Sequence, residues 1–158
     1  MLGKSDIIIV GAGFAGMYML HKARQLGFRA TVIEAGSGVG GTWYWNRYPG
    51  ARCDVESMSY SYSFSEELQQ EWVWPDRYAA QPDILRYANH VADRFDLRRD
   101  IVFDTKVTAA HFDEGQNIWA VSTDRHGKLV APFLVMATGC LSVPKVPDIP
   151  GLKNFQGH

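Results

Sequence analysis

The sequence predicts an α/β fold: a parallel sheet with a crossover helix near its N-terminus and a small antiparallel β-meander inserted further on. Three observations carry that prediction. Two short apolar runs, Ile7-Ile8-Ile9-Val10 and Ala30-Thr31-Val32-Ile33-Glu34, flank a segment of helical period. A glycine cluster separates the first run from that segment. Between residues 101 and 131, three short runs alternate apolar and polar residues, with polar turns between them.

Asp6 to Val10 reads as a strand buried on both faces, stopped by the glycines. From Phe14 to Leu26, the apolar positions Met17, Leu20, Ala23 and Leu26 recur every three residues, forming one helix face that Gly27 can end. Ala30 to Glu34 is the second strand, which makes a right-handed βαβ unit with parallel strands. Residues 36–80 are dense in Gly, Trp, Tyr and Ser and keep no period, so a long irregular segment is expected there, a kind that commonly carries function. Gln81-Pro82-Asp83 starts a helix whose apolar stripe is Ile84, Leu85, Ala88, Val91, Ala92 and Phe95. Thr105 to His111, Ile118 to Thr123 and Lys128 to Ala131 form the meander, turning at residues 113–115 and 124–127. Phe133 to Ala137 returns to the parallel sheet and ends in Thr138-Gly139. The tail with Pro144, Pro147 and Pro150 reads as a linker. The expected division is a domain over 1–143, with the meander at about 101–131, and a linker over 144–158.

Composition bounds the function. With 158 residues, 46% hydrophobic, and 16 Lys+Arg against 17 Asp+Glu, the chain reads as one soluble globular domain that needs no disulfide or metal to hold a core. The balanced charge argues against a nucleic-acid or membrane partner. No run approaches the roughly 18–20 apolar residues of a membrane span, and Met1 to Asp6 leads into the first strand without a cleavable signal, so a cytoplasmic location is expected. Cys53 and Cys140 fit no C-x-x-C spacing and read as free thiols. His21, His90, His111, His126 and His158 have no ligand spacing, and no metal is expected. Ser57, Ser59, Ser61, Ser63 and Ser65 alternate with larger residues, suggesting an extended segment and not a nucleophile elbow.

Gly11-Ala12-Gly13-Phe14-Ala15-Gly16 is G-x-G-x-x-G between a strand and a helix, with Glu34 closing the next strand. This is the dinucleotide fingerprint in its proper context, and it makes the fold Rossmann-like. Gly11 permits the tight turn, Gly13 lets a pyrophosphate approach the backbone, and Gly16 lets helix pack on sheet. The helix start offers unpaired N–H groups, and Glu34 accepts from a ribose 2′-OH while repelling a 2′-phosphate. FAD or NAD is therefore preferred over NADP at this site, and spacing does not choose between them.

Gly36-Ser37-Gly38-Val39-Gly40-Gly41 matches the same pattern but leads into Thr42-Trp43-Tyr44-Trp45-Asn46-Arg47-Tyr48-Pro49-Gly50, which has no helical period. It reads as flexible backbone running beside a bound cofactor. Trp43, Tyr44, Trp45 and Tyr48, with Arg47, Arg52 and Asp54 close by, suit two readings: the lining of a pocket for a large planar ring, or a satellite core under a long loop.

The run from Gly40 to Asp54, GGTWYWNRYPGARCD, resembles the signature loop of bacterial type I Baeyer–Villiger monooxygenases, the flavoenzymes of the phenylacetone, steroid and cyclohexanone monooxygenase group. The resemblance continues through Tyr62-Ser63-Phe64-Ser65-Glu66-Glu67, Tyr78-Ala79-Ala80-Gln81-Pro82 and Ala137-Thr138-Gly139. It implies FAD bound in this domain, NADPH bound on another, and a C4a-peroxyflavin that converts ketones to esters or lactones with O2. By match, Gly11, Gly13 and Gly16, with Phe14 and Ala15, hold the FAD pyrophosphate, and Glu34 holds the adenosine ribose. Gly41 and Thr42, Trp43, Tyr44 and Trp45 line the flavin side, Val107 meets the adenine through its backbone, and Arg52, Tyr60, Ala137, Thr138 and Gly139 complete the cofactor set. Asp54 matches the catalytic-site aspartate that orients an arginine near the flavin, a geometry suited to a carboxylate and a guanidinium.

The family fingerprint F-x-G-x-x-x-H-[TS]-x-x-W is cut short here at Phe155-Gln156-Gly157-His158, and His158 is not its histidine. The second glycine fingerprint for NADPH and the arginine served by Asp54 are not in the sequence. The expectation is an N-terminal portion of a longer enzyme, inactive alone and working with the remaining NADPH-binding part. Three alternatives stay open: a non-catalytic flavin-binding module, the FAD domain of an N- or S-oxidising flavin monooxygenase, and an NAD-dependent dehydrogenase domain, the last disfavoured by the aromatic loop.

Overall fold

The computed structural model describes residues 4–157; Met1–Gly3 and His158, and with them the readings made of the N-terminal leader and of that histidine, lie outside the described residues. Four parallel strands run in the order β3-β2-β1-β7, with β1 Ile7–Val10, β2 Ala30–Ile33, β3 Ile101–Val102 and β7 Phe133–Met136. β1 pairs in register with both neighbours, Ile7 opposite Ala30 on one side and Phe133 on the other. A second, antiparallel sheet has the order β4-β5-β6, formed by Val107–Asp113, Ile118–Thr123 and Lys128–Ala131.

Alternation along the strands decides what each face of the parallel sheet meets. Ile7, Ile9 and Val32 face a cluster with Met17, Leu20 and Ala23 of helix α1, Phe14–Gln25, and Tyr87, Ala88 and Val91 of helix α4, Gln81–Arg94. Ile8 and Ile33 point the other way, into a cluster with Val121 and Ala131 of the meander. The result is three layers: helices, parallel sheet, antiparallel sheet. Every residue of β1 is buried, as a central strand covered on both faces requires. Each large apolar side chain buried here stabilises the fold by about 1.5–3 kcal/mol.

Several expectations are corrected. Ile101–Val102 does not belong to the meander; it is the parallel edge strand beside β2, with Ile101 opposite Val32. The segment 36–80 is not structureless: Thr42–Trp45 forms a one-turn helix α2, Ser57–Tyr60 a 3-10 turn, and Glu66–Glu71 a helix α3 capped by the Ser65 side chain. The serines from 57 to 65 are therefore not one extended strand. Leu26 falls just past α1 and is exposed, outside the buried stripe. The first meander strand starts at Val107, two residues later than expected. Phe133–Met136 is an edge strand with Phe133 and Met136 exposed. Both cysteines are free, Cys53 buried and Cys140 exposed. Among the described residues, no helix is long and apolar enough to cross a membrane.

Candidate cofactor-binding site

The site lies at the C-terminal ends of β1 and β7. The chain leaves β1 toward β2 on one side and reaches β7 on the other, the switch point where open α/β sheets form a crevice. Gly11 turns the chain there with φ +102°, and a Cβ on it would meet the Ala137 carbonyl oxygen at 2.7 Å. A Cβ on Gly16 would fall 1.8 Å from the Gly11 carbonyl oxygen, so the first turn of α1 sits directly on the loop before it. Gly13 differs: its φ is an ordinary −75°, and a Cβ would meet only Gly41, its Cα at 3.4 Å and its N at 3.8 Å. The first hydrogen bond into α1 runs from the Met17 N–H to the Gly13 carbonyl at 3.0 Å. The amides of Phe14 and Ala15 precede it and have no acceptor within their own helix, and Ala15 is exposed. A twelve-residue helix adds a partial positive charge at this end.

Glu34 is only 5% exposed and stands directly over that loop. Its Oε2 accepts from the Ala12 N–H at 2.6 Å and its Oε1 from the Gly36 N–H at 2.7 Å. Each oxygen keeps a further lone pair for a hydroxyl donor. The Glu34 carbonyl accepts from the Thr105 N–H at 2.9 Å, which brings the start of the meander alongside. Val107, two residues on, is half-buried and packs against the cluster of Ile8 and Ile33, with a bulge between it and Ala109.

The aromatic loop divides between the two readings made of it. Trp43 is buried with Cys53, Ala79 and Ile84, edge-on to Tyr60 at 5.5 Å, and its carbonyl accepts from Gln81 Nε2 at 2.5 Å. It is a satellite-core residue. Trp45 and Tyr48 are 59% and 64% exposed and present flat apolar surface to the outside. Tyr44 lies against the second glycine run and bonds Ser37; those bonds hold its phenol below the usual range. Tyr60 packs edge-on to Phe14 at 5.6 Å, and burial, chiefly, pushes its phenol up, with Cys53 and Asp54 adding to the shift. Thr42, Thr138 and Gly139 are exposed, and Ala137 sits beneath Gly16.

Arg52 and Asp54 are both exposed but do not pair. Arg52 donates to the Tyr78 carbonyl and lies 3.8 Å from Asp76. Asp54 has no ion pair among the described residues. No cluster of His, Cys, Asp and Glu among them could hold a metal ion.

Sequence reasoning passed over four residues that build the site. Tyr62 donates from its hydroxyl to the Phe14 carbonyl at 2.6 Å, and its N–H donates to the Tyr87 hydroxyl at 2.8 Å, tying the irregular segment and α4 to the start of α1. Burial pushes the Tyr62 phenol strongly up, so it stays a donor. Tyr87 fits the spacing 84, 87, 88, 91 of the α4 stripe and was legible there; Gln81, Ser37 and Tyr62 carry no local signal.

The residues present fit a dinucleotide at this crevice: unpaired amides, a backbone without a side chain at Gly13, and a carboxylate beside both. The chain matches a family model described as pyridine nucleotide-disulphide oxidoreductase over residues 8–158. It is 48% identical to a phenazine N-monooxygenase of Lysobacter antibioticus and 47% identical to a Baeyer–Villiger monooxygenase of Pseudooceanicola batsensis, in each case over 97% of this chain and 28% of the relative. Among solved structures, it is similar to an oxidised steroid monooxygenase bound to NADP, with a TM-score of 0.89 and 58% identity over 96% of this chain and 29% of that one. It is also similar to OTEMO in complex with FAD and NADP, with a TM-score of 0.88 and 44% identity over 97% and 29%. The chain thus spans less than a third of the length of the relatives it matches. These likenesses bear out the resemblance to Baeyer–Villiger monooxygenases found in the sequence.

Proposed function

The chain belongs to the pyridine nucleotide-disulphide oxidoreductase family, and on that premise we propose that it is the FAD-binding portion of an NADPH- and O2-dependent flavin monooxygenase converting ketones to esters or lactones. The observation that carries the reading is the juxtaposition of the bare Gly13 backbone, the open amides of α1 and the buried Glu34 carboxylate. In this reading, the amides of Phe14 and Ala15 bind the diphosphate, Glu34 accepts from the adenosine ribose, and the Val107 backbone meets the adenine. Trp45 and Tyr48 cover the flavin end, Gly41, Thr42, Tyr60, Arg52, Ala137, Thr138 and Gly139 frame it with Trp43 packed behind them, Tyr44 stands at the turn after β2, and Asp54 holds an arginine from the rest of the enzyme. Bound FAD supplies the two-electron chemistry that passes one oxygen atom of O2 to the substrate and the other to water.

The second glycine run packs an aromatic ring and is no dinucleotide turn, so NADPH is assigned to the part of the enzyme beyond these residues, and the chain alone is expected not to oxidise it. Domain limits of 1–143 and a linker of 144–158 suit that division, the tail from 140 to 157 being exposed throughout. A cytoplasmic setting, where NADPH is supplied and thiols stay reduced, suits Cys53 and Cys140.

Titration of the 158-residue chain with FAD, FMN and NAD tests the binding. FAD is expected to bind and FMN, which lacks the adenosine and its phosphate, is not; tighter binding of NAD than of FAD would overturn the reading. The likeness to a phenazine N-monooxygenase favours a second reading, oxidation at nitrogen. Supplying the full-length enzyme with a ketone and with a nitrogen heteroaromatic separates the two: an ester or lactone supports the first, an N-oxide the second.

A further inference from the structure

We propose that Tyr44 is a positioning residue for the adenosine end of the cofactor, acting through the turn that follows β2. Its ring lies against the bare backbone of that turn: a Cβ on Gly36 would meet Tyr44 Cε1 at 2.6 Å, and one on Gly38 would meet Cε2 at 3.1 Å. Its hydroxyl accepts from the Ser37 N–H at 3.1 Å and bonds the Ser37 hydroxyl at 2.7 Å. The ring itself is held. The Arg47 guanidinium stacks 4.7 Å from its centroid and donates to the Tyr44 carbonyl at 2.7 Å, and Trp45 packs edge-on at 4.9 Å.

The same turn supplies one of the two hydrogen bonds on Glu34, from the Gly36 N–H to Oε1. The Gly36 carbonyl accepts from the Asp104 N–H at 3.0 Å, so Gly36 is fixed through both of its backbone groups and the phenol holds the next residue, Ser37. Tyr44 bonds neither Glu34 nor the Ala12 amide. Its effect on Glu34 passes through residues 36 and 37, and a carboxylate fixed by two backbone amides presents its remaining lone pairs in one direction. Gly36 and Gly38 are explained by the ring they admit, not by a phosphate.

The inference rests on the reading that a ribose meets Glu34, and its test separates the two. Amide hydrogen exchange at Gly36 and Ser37 and the FAD Kd are measured on the 158-residue chain, on Tyr44→Phe and on Tyr44→Ala, each also carrying Glu34→Ala. Tyr44→Phe keeps the ring and removes the hydroxyl. It is expected to speed exchange at Ser37 and, to a smaller extent, at Gly36, and to weaken FAD about fivefold, the worth of one hydrogen bond. Tyr44→Ala has the larger effect, and if it does not fold, Tyr44→Phe decides alone. In the Glu34→Ala background, the effect of Tyr44→Phe on FAD should shrink below about twofold, since little is left to position. Unchanged Gly36 exchange and unchanged Kd in Tyr44→Phe, or an equal loss in both backgrounds, overturns the proposal. Should the unaltered chain fail to bind FAD, the proposed function falls, and the exchange rate at Gly36 still decides whether Tyr44 orders the turn.

Discussion

Residues 11–16 and 36–41 carry the same spacing of glycines, and the two stretches solve different physical problems. In the first, the absent side chains let backbone meet backbone: Gly11 against the Ala137 carbonyl, and Gly16 against the Gly11 carbonyl. In the second, three of the four let side chains meet backbone, the Tyr44 ring on Gly36 and Gly38 and Leu85 on Gly40, while Gly41 meets the Gly13 backbone. The two stretches touch where the Gly40 N–H donates to the Ala12 carbonyl at 3.0 Å and where Gly41 approaches Gly13. A backbone neighbour cannot move aside, whereas a side chain can shift by a small rotation. The lesson is that a glycine pattern is read by what stands opposite each glycine; the strand before the run and the helix after it are only its outward sign.

That contrast ranks the substitutions that would break it. Gly16→Ala forces a Cβ into the Gly11 carbonyl at 1.8 Å and should cost about 3 kcal/mol, the upper end of overpacking, read as a melting point lower by about 10 °C. Gly13→Ala has room and an ordinary φ, so the melting point should hold while FAD binding weakens about tenfold or more, because in the proposed site the methyl group would crowd the diphosphate. A large loss of stability instead would mean that Gly13 serves only the packing of Gly41. Gly36→Ala meets two ring edges, Tyr44 at 2.6 Å and Trp45 at 3.1 Å, and should cost about 1 kcal/mol, a cost that shrinks when Tyr44→Ala is added; an undiminished cost would show that the Tyr44 ring is not the obstacle.

The smallest effect lies outside both stretches. His21 of α1 stacks on Phe64 of the irregular segment at 4.2 Å, with Phe95 edge-on at 4.9 Å and its Nε2 buried without a partner. Burial, then Lys22 and Arg24, hold its pKa below 6.5. The unfolded chain therefore takes up the proton first, and the stability present above about 6.5 is lost as pH falls below that value. Melting curves from pH 7 to 5 should show a slope that His21→Phe flattens; an unaltered slope would put the titration elsewhere.

Much of this was legible in the sequence, and the reason is locality. β1 and β2 announce themselves as apolar runs and α1, β5, β6 and α4 by period, and their observed limits fall within a residue or so of the pattern. Ile101–Val102 did not, because two residues have no period and their place depends on pairing with Val32 and Ile33. Thr42–Trp45 is a helix of one turn, too short to repeat, opened by the left-handed Gly41 at φ +55°. Helix α3 carried a local sign, Ser65 three residues before Leu68, that period alone passes over. At the site, Gly11, Gly13, Gly16 and Glu34 stand out in the sequence because a single βαβ unit fixes their spacing. Tyr62, Gln81 and Ser37 were not, since each acts on a residue brought near only by folding: Phe14, Trp43 and Tyr44 respectively.

The central claim, that the first glycine stretch is an anion cradle and the second is not, is tested most directly by following backbone amide resonances of the chain as ADP, the diphosphate half of the cofactor, is added. The amides of Gly13, Phe14 and Ala15 should shift together and saturate, with those of Gly38 and Gly40 nearly still. Saturating shifts at Gly38 and Gly40, with Phe14 and Ala15 unmoved, would contradict it.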